Sequence, residues 1–319
     1  MVCYDTGATD DPRLSEGRLF FRYLMGALMS LAKKGFIFSI LSAFFLSAMN
    51  LFVKLLGAAG GTPLPSSEIA FFRGLIGTIA VLAYMLYKGI HFSKEDRKLL
   101  VMRGLYGGFG MICNFIAIVH LKMSDAAILF QLSGIFVLIF AGIFLKERIP
   151  KGAGKWLLII FAAVMVMVNP FQYSSFNWYA LVAILGAALS AAAYTTIRSI
   201  ANHGKHSSFE IMAYFMVTGM IAGAVTTPSV VIPQGIQWAY ILAIGGISVL
   251  SQFFLTGAFI ATNAVIAQFL QYIGVFFNAM WGFLAFGESI AAATICAGLA
   301  MFVSSVMLAK LKEENPAVK

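Results

Sequence analysis

Ten stretches of almost continuous apolar sequence run along the chain, at 35–56, 69–87, 99–119, 126–145, 153–169, 178–197, 209–227, 238–261, 264–286 and 290–309. Each is apolar all round rather than on one face, and about 20 apolar residues suffice to cross a bilayer as a helix. The separators are short and rich in helix breakers: Gly60-Gly61-Thr62-Pro63-Leu64-Pro65, Asn169-Pro170, Pro228 and Pro233. Strand-length segments with period-two alternation are absent from the sequence, which argues against a transmembrane barrel. The pattern predicts an all-α integral membrane protein with ten transmembrane helices.

Composition agrees. The chain is 61% hydrophobic and 11% charged, against about 25% charged residues in a soluble domain, so a water-soluble enzyme is excluded. The net charge of +9 acquires its meaning from where the charges fall. Assigned alternately to the two sides, the loops place 19 of the 22 basic residues on one side; Lys122, Lys54 and Arg73 are the three others. The positive-inside rule puts that side, and both termini, in the cytoplasm of a cell whose inner membrane the protein spans. The charge is therefore a topology signal rather than a nucleic-acid footprint. Residues 1–34 read as a cytoplasmic tail, disordered through residue 18. Leu19–Ala32 is too short to span, and either lies in the membrane plane or precedes a true start at Met25 or Met29.

The two halves repeat each other faintly. Ser66-Ser67-Glu68-Ile69 opens the second apolar stretch and Ser207-Ser208-Phe209-Glu210-Ile211 the seventh. Leu41-Ser42-Ala43 with Lys54 corresponds to Leu185-Gly186-Ala187 with Arg198, and Glu147 to Glu288, at spacings of 144 and 141. Five helices per copy is an odd number, so the second copy enters the membrane from the opposite face. Residues 35–170 and 171–310 thus read as two inverted five-helix repeats, followed by a tail at 311–319. Inverted repeats are a transporter architecture with substrate bound near the midplane.

Several segments resemble the EamA-type members of the drug/metabolite transporter superfamily. They are Glu68-Ile69-Ala70-Phe71-Phe72-Arg73, Arg103-Gly104, Ser124-Asp125-Ala126-Ala127, Phe144-Leu145-Lys146-Glu147-Arg148 and Phe286-Gly287-Glu288. The resemblance extends over residues 35 to 310 and implies a ten-helix carrier of small metabolites, without naming the metabolite. Where the family commonly has Ser-Pro in helix 4, this chain has Ser133-Gly134, and helix 9 has Ile273-Gly274. A bend is allowed there, but not one fixed by proline.

Intramembrane charge is the sharpest functional signal, because a cation at the centre of a membrane helix costs about 2.5–3.5 kcal/mol. From Ile211 to Gly287 there is no Asp, Glu, Lys or Arg, so charge inside the bundle comes from the first half. Arg73 and Lys54 flank one loop and could clamp a carboxylate or phosphate, which the planar guanidinium suits. Snorkelling of Lys54 and an internal pair of Arg73 are the structural alternatives. Arg103 reads as an interfacial anchor, and Glu210, Glu147 and Glu288 as structural helix ends. Asn114, Gln131, Tyr194, Gln252, Gln268, Gln271, Tyr272, Asn278 and Trp281 interrupt apolar stretches and either line a cavity or join helices. Gly104/Gly108 and Gly219/Gly223 suit close helix packing.

The resulting expectation is a secondary carrier of a small anionic or zwitterionic metabolite. It works by alternating access as a uniporter or exchanger, as a monomer or homodimer, without cofactor or metal. Glu68 and His120 are the coupling candidates if a proton is used. A proton-coupled exporter of amino acids or amphiphilic amines is the alternative, and a non-transporting receptor or scaffold the alternative of another class. The three cysteines have no metal-ligand spacing, and His203 and His206 read as a solvated loop. No nucleophile–base or metal-box motif points to an enzyme.

Overall fold

A computed structural model describes residues 12–58, 63–145, 152–168, 178–204, 206–227, 229–262, 264–288 and 292–314. These form twelve helices: α1 (Pro12–Ala58), α2 (Ser66–Lys88), α3 (Arg97–His120), α4 (Met123–Gln131), α5 (Ser133–Phe144) and α6 (Ala153–Val168). They continue with α7 (Trp178–His203), α8 (Ser208–Thr226), α9 (Gln237–Ala261), α10 (Ala264–Leu270), α11 (Ile273–Phe286) and α12 (Ala292–Glu314). No strand occurs among the described residues. Seven spans, one of them α4 and α5 together, are long and apolar enough to cross a membrane, and three shorter apolar helices lie within α6, α11 and α12. Bulky apolar side chains such as Ile79, Leu86, Phe144, Val225 and Leu242 are exposed, the outer face expected where lipid is the solvent.

Two departures from the sequence pattern have physical causes. Helix α1 begins at Pro12, not near residue 35, so the segment expected as tail and in-plane helix continues into the first span. Proline is favoured at a helix start, and from there to Ala58 no further proline or glycine pair stops the helix. The fourth and ninth apolar stretches are each split in two, at Leu132 and at Gln271-Tyr272. Glu147, Asn169-Pro170 and Pro228 lie outside the described residues.

The bundle pairs helices across the sequence midpoint. α1 packs along α9 and α11, α7 along α3 and α5, α2 against α8, and α6 against α12. Small residues permit these approaches. A methyl at Gly74 would stand 2.6 Å from the Met220 backbone nitrogen, and one at Gly223 2.6 Å from that of Phe71, so α2 and α8 cross nearly backbone to backbone. The two expected glycine pairs meet each other: a Cβ on Gly108 would lie 3.1 Å from Gly219 Cα.

Candidate functional site

The interruptions of the two split helices face each other, and each stabilises the other. At Leu132 the backbone tightens to i→i−3 bonds (Leu132 N to Leu129 O, 3.1 Å; Ile135 N to Leu132 O, 3.0 Å). Gln271 N to Gln268 O and Gly274 N to Gln271 O do the same at 3.1 and 2.9 Å. A broken helix frees carbonyls that lipid cannot satisfy. Gln131 Nε2 donates to the Gln271 carbonyl at 3.0 Å, and the Tyr272 hydroxyl donates to the Gln131 carbonyl at 2.8 Å. Gln268 Nε2 completes the junction on Ser133 Oγ at 2.7 Å. Reciprocal side-chain bonding thus sustains both breaks without a proline at either.

Beside this junction is a cavity of two adjoining parts that share Leu46, Asn114, Phe130 and Tyr194 as walls. The first part holds Arg73, Arg103 and Gln252, the second Asn50, Gln131, Gln268, Gln271 and Asn278. Among the described residues, no aspartate or glutamate lines either part.

Arg73 and Arg103 are only 2% and 1% exposed, and neither has a carboxylate partner among the described residues. Arg73 Nε and Nη1 meet the thioether sulfurs of Met49 and Met111, which are weak acceptors. Arg103 reaches Gln252 Oε1 through Nη2 at 3.4 Å, while its Nε and Nη1 have no partner. Both guanidinium carbons lie over the Phe215 ring, at 5.1 and 4.4 Å from its centroid. Gly107, one turn after Arg103, keeps this arrangement open: a methyl there would collide with Arg103 Nη1 and with the Phe215 ring. Two buried cations held by sulfur, a ring and one amide are under-compensated, and an incoming anion would complete their coordination.

Of the residues singled out in the sequence, Arg73, Asn114, Gln131, Tyr194, Gln268, Gln271 and Asn278 line this cavity. Tyr272 is buried beside it as the tie just described, and Trp281 Nε1 donates to Ser47 Oγ at 3.3 Å, away from the lining. Lys54 is not in the cavity either. It forms an ion pair with Glu288 and donates to the Leu121 carbonyl at 2.9 Å, while Glu288 Oε2 accepts the Met123 N–H at 3.0 Å. Gly287, at φ +62°, ends α11 in a left-handed turn that places Glu288 there. Arg103 is not an interfacial anchor but a cavity wall. Asn50 and Phe215 were passed over as well, although Asn50 interrupts an apolar stretch as Asn114 does.

The coupling candidates have other surroundings. Glu68 accepts the Val231 N–H at 3.0 Å through Oε2. His120 is exposed, bonds the Ile116 carbonyl at 2.9 Å and stacks on Tyr179 with centroids 4.0 Å apart. At the opposite end of the bundle, Ser207 Oγ caps α8 by accepting the Glu210 N–H at 3.1 Å, and the Glu210 carboxylate accepts the Ser93 N–H at 2.8 Å. His203 is exposed there, as expected of a solvated loop, but the His206 side chain is buried. His206 stands between Glu210 Oε2 (2.9 Å) and Asp96 Oδ2 (3.4 Å), and His203 bonds Asp96 at 2.8 Å. The His203 hydrogen bond is the main cause that holds the Asp96 carboxyl below its ordinary pKa.

The EamA-like transporter family matches residues 33–169. The pseudopaline exporter of Pseudomonas aeruginosa is 36% identical over 288 residues, covering 90% of this chain and 99% of the relative. The riboflavin transporter of Brucella anthropi is 25% identical over 76% of this chain and 87% of its own. For the S-adenosylmethionine uptake transporter of Rickettsia prowazekii the values are 28%, 72% and 77%. A solved crystal structure superposes with a TM-score of 0.65 at 15% identity, covering 88% of this chain and 99% of the other, which supports the fold alone. With its apolar bundle and central cavity, this multi-pass membrane chain belongs to the EamA-type branch of the drug/metabolite transporter superfamily and is a transporter of small metabolites, not an enzyme.

Proposed function

We propose that the protein is a secondary exporter of a carboxylate-bearing anionic or zwitterionic metabolite, and that the two-part cavity is its substrate site. The carrying observation is the pair of buried guanidiniums of Arg73 and Arg103 without a carboxylate among the described residues. An Asp or Glu in the wall would be expected for a cationic amine, and among the described residues none lines the cavity. Export is the direction named for the 36%-identical relative.

Alternating access fits the packing. The seven membrane-length spans and three shorter apolar helices make ten crossings, with α1–α6 and α7–α12 as the two copies. Pairing of α1 with α9 and α7 with α3, and of α2 with α8 and α6 with α12, is what an in-plane two-fold axis would generate. Glu68 and Glu210 are equivalent under it, and each holds a backbone N–H of a loop from the opposite copy, at opposite ends of the bundle. On this reading Lys54–Glu288 belongs to the outer closure, and Asp96 with His203 and His206 to the inner one. Single cysteines at Ser66 and Lys94, in a background lacking native cysteines, should label from opposite faces of oriented inner-membrane vesicles. Labelling from the same face would refute the topology.

Among the described residues the cavity wall has no Asp, Glu or His to carry a proton, which supports facilitated diffusion or exchange. Reconstituted protein should carry labelled carboxylate metabolites down their gradients and show trans-stimulation. Uphill accumulation driven by an imposed pH gradient at clamped potential would overturn this coupling and favour the proton-driven exporter. Carriage of amines but no carboxylates would overturn the substrate class.

A further inference from the structure

The part of the cavity remote from the arginines has an opposite hydrogen-bonding character, and the hydrogen-bond network fixes the sign of Gln131 and Asn50. Gln131 Nε2 donates to a backbone carbonyl, a group that only accepts, so the amide cannot be turned over and Oε1 is its remaining group. A second chain gives the same result. Asn278 Nδ2 donates to the Gly274 carbonyl at 2.7 Å, which presents Asn278 Oδ1 to Asn50. Asn50 therefore uses Nδ2 on it at 3.2 Å and keeps its own Oδ1. Gln131 Oε1, Asn50 Oδ1, Gln268 Oε1 and Gln271 Oε1 are all buried and accept nothing among the described residues. The amide nitrogens of Gln131, Asn50 and Gln268 are engaged, while Gln271 Nε2 makes no bond.

Resting on the carboxylate-carrier reading above, we propose that the site takes a zwitterion in one orientation. Its carboxylate lies against Arg73 and Arg103, and its protonated amine against the oxygens of Asn50, Gln131, Gln268 and Gln271. An ammonium brings three donors and no acceptor, the complement of this wall, whereas a second carboxylate brings only acceptors. Asn114, Phe130 and Tyr194 border both parts, so one ligand spans them. Because the acceptors are neutral, an amine without a carboxylate gains no ion pair with the wall and meets two buried cations. The wall therefore demands both groups on one molecule.

The test uses purified full-length protein and length-matched probes, with affinities from ligand-induced thermal shifts: ε-aminocaproate, adipate, hexanoate and hexamethylenediamine, extended to homologues two carbons shorter and longer. The amino acid should bind about tenfold more tightly than the dicarboxylate or monocarboxylate of its length, and the diamine should not bind. Gln271→Leu is the cleanest variant, since neither atom of that side-chain amide is engaged within the protein. It should bring ε-aminocaproate toward hexanoate and leave hexanoate unchanged. Asn50→Asp, which replaces a neutral acceptor by an anion, should admit the diamine. Adipate binding as well as the amino acid, or Gln271→Leu weakening hexanoate equally, would overturn the orientation alone. Failure of every carboxylate probe on the wild type would instead remove the carrier reading on which it rests.

Discussion

Arg103→Gln is expected to abolish substrate binding and transport while raising the thermal stability of the empty protein. The guanidinium is buried, its Nε and Nη1 are unpartnered, and no carboxylate offsets its charge among the described residues. Removing a buried unpaired charge relieves a desolvation penalty, so the unliganded variant should melt at a higher temperature. Losing one partner of a buried charge pair with the substrate costs about 2–5 kcal/mol, or roughly 30- to 4,000-fold in affinity. Arg73→Gln should act in the same direction. Arg103→Lys retains the charge but loses the planar fork and its stacking on Phe215, so it should fall between. Gly107→Ala provides a control that leaves every charge in place: its methyl would displace Arg103 and Phe215 and lower affinity. Scintillation-proximity binding and melting curves measure the two quantities separately. A variant that melts lower and still binds substrate would make Arg103 a structural residue.

That opposition between stability and binding also explains why the site was only partly legible in sequence. Arg73 and Arg103 each lie four residues into an apolar stretch, so depth alone does not distinguish them. Arg103 follows a helix start crowded with Arg97 and Lys98, where snorkelling is the ordinary fate. What separates it is Gly107, four residues on, together with Phe215 from a helix more than a hundred residues away. The polar residues in apolar stretches were identifiable because an amide in lipid must find a partner or a cavity. Which of the two it finds depends on helix pairing, so Gln271 and Trp281 look alike in the sequence and differ in place.

The apolar windows agree with the helices to within a few residues for most spans, because bilayer thickness fixes the length and Gly, Pro and charge fix the ends. The helix breaks at Leu132 and Gln271-Tyr272 were legible only as permission to bend. The bonds that stabilise them, Gln131 to the Gln271 carbonyl and Tyr272 to the Gln131 carbonyl, link residues about 140 apart. The burial of His206 was hidden for a similar reason. Asp96, the partner it shares with His203, becomes a neighbour only after α3 and α8 have packed. Lys54 has every sequence attribute of a substrate clamp, and only the left-handed turn at Gly287 reveals that Glu288 takes its charge.

Charge exchange across that pair is expected to rescue part of what each single reversal destroys. The Lys54 and Glu288 side chains are each 14% exposed, between the surface pairs worth about 0–1 kcal/mol and buried ones whose disruption costs about 3–5 kcal/mol. Lys54→Glu sets two carboxylates against each other, and Glu288→Lys two ammonium groups, so both should melt lower and transport poorly. In Lys54→Glu/Glu288→Lys the ion pair re-forms, yet two further bonds are lost. A glutamate at 54 cannot donate to the Leu121 carbonyl, and a lysine at 288 cannot accept the Met123 N–H. Recovery should therefore be incomplete. If the pair forms part of the outer closure, as proposed, Glu288→Gln should also open the cavity to that side. A thiol at Leu46, which lines both parts, should then react about tenfold faster with a membrane-impermeant maleimide, equivalent to about 1.4 kcal/mol of lost closure. Equal labelling rates with a lowered melting point would mean that the pair stabilises the bundle without closing it. A double exchange no better than either single variant would mean that the backbone bonds, not the charges, hold α1, α11 and the α3–α4 turn together.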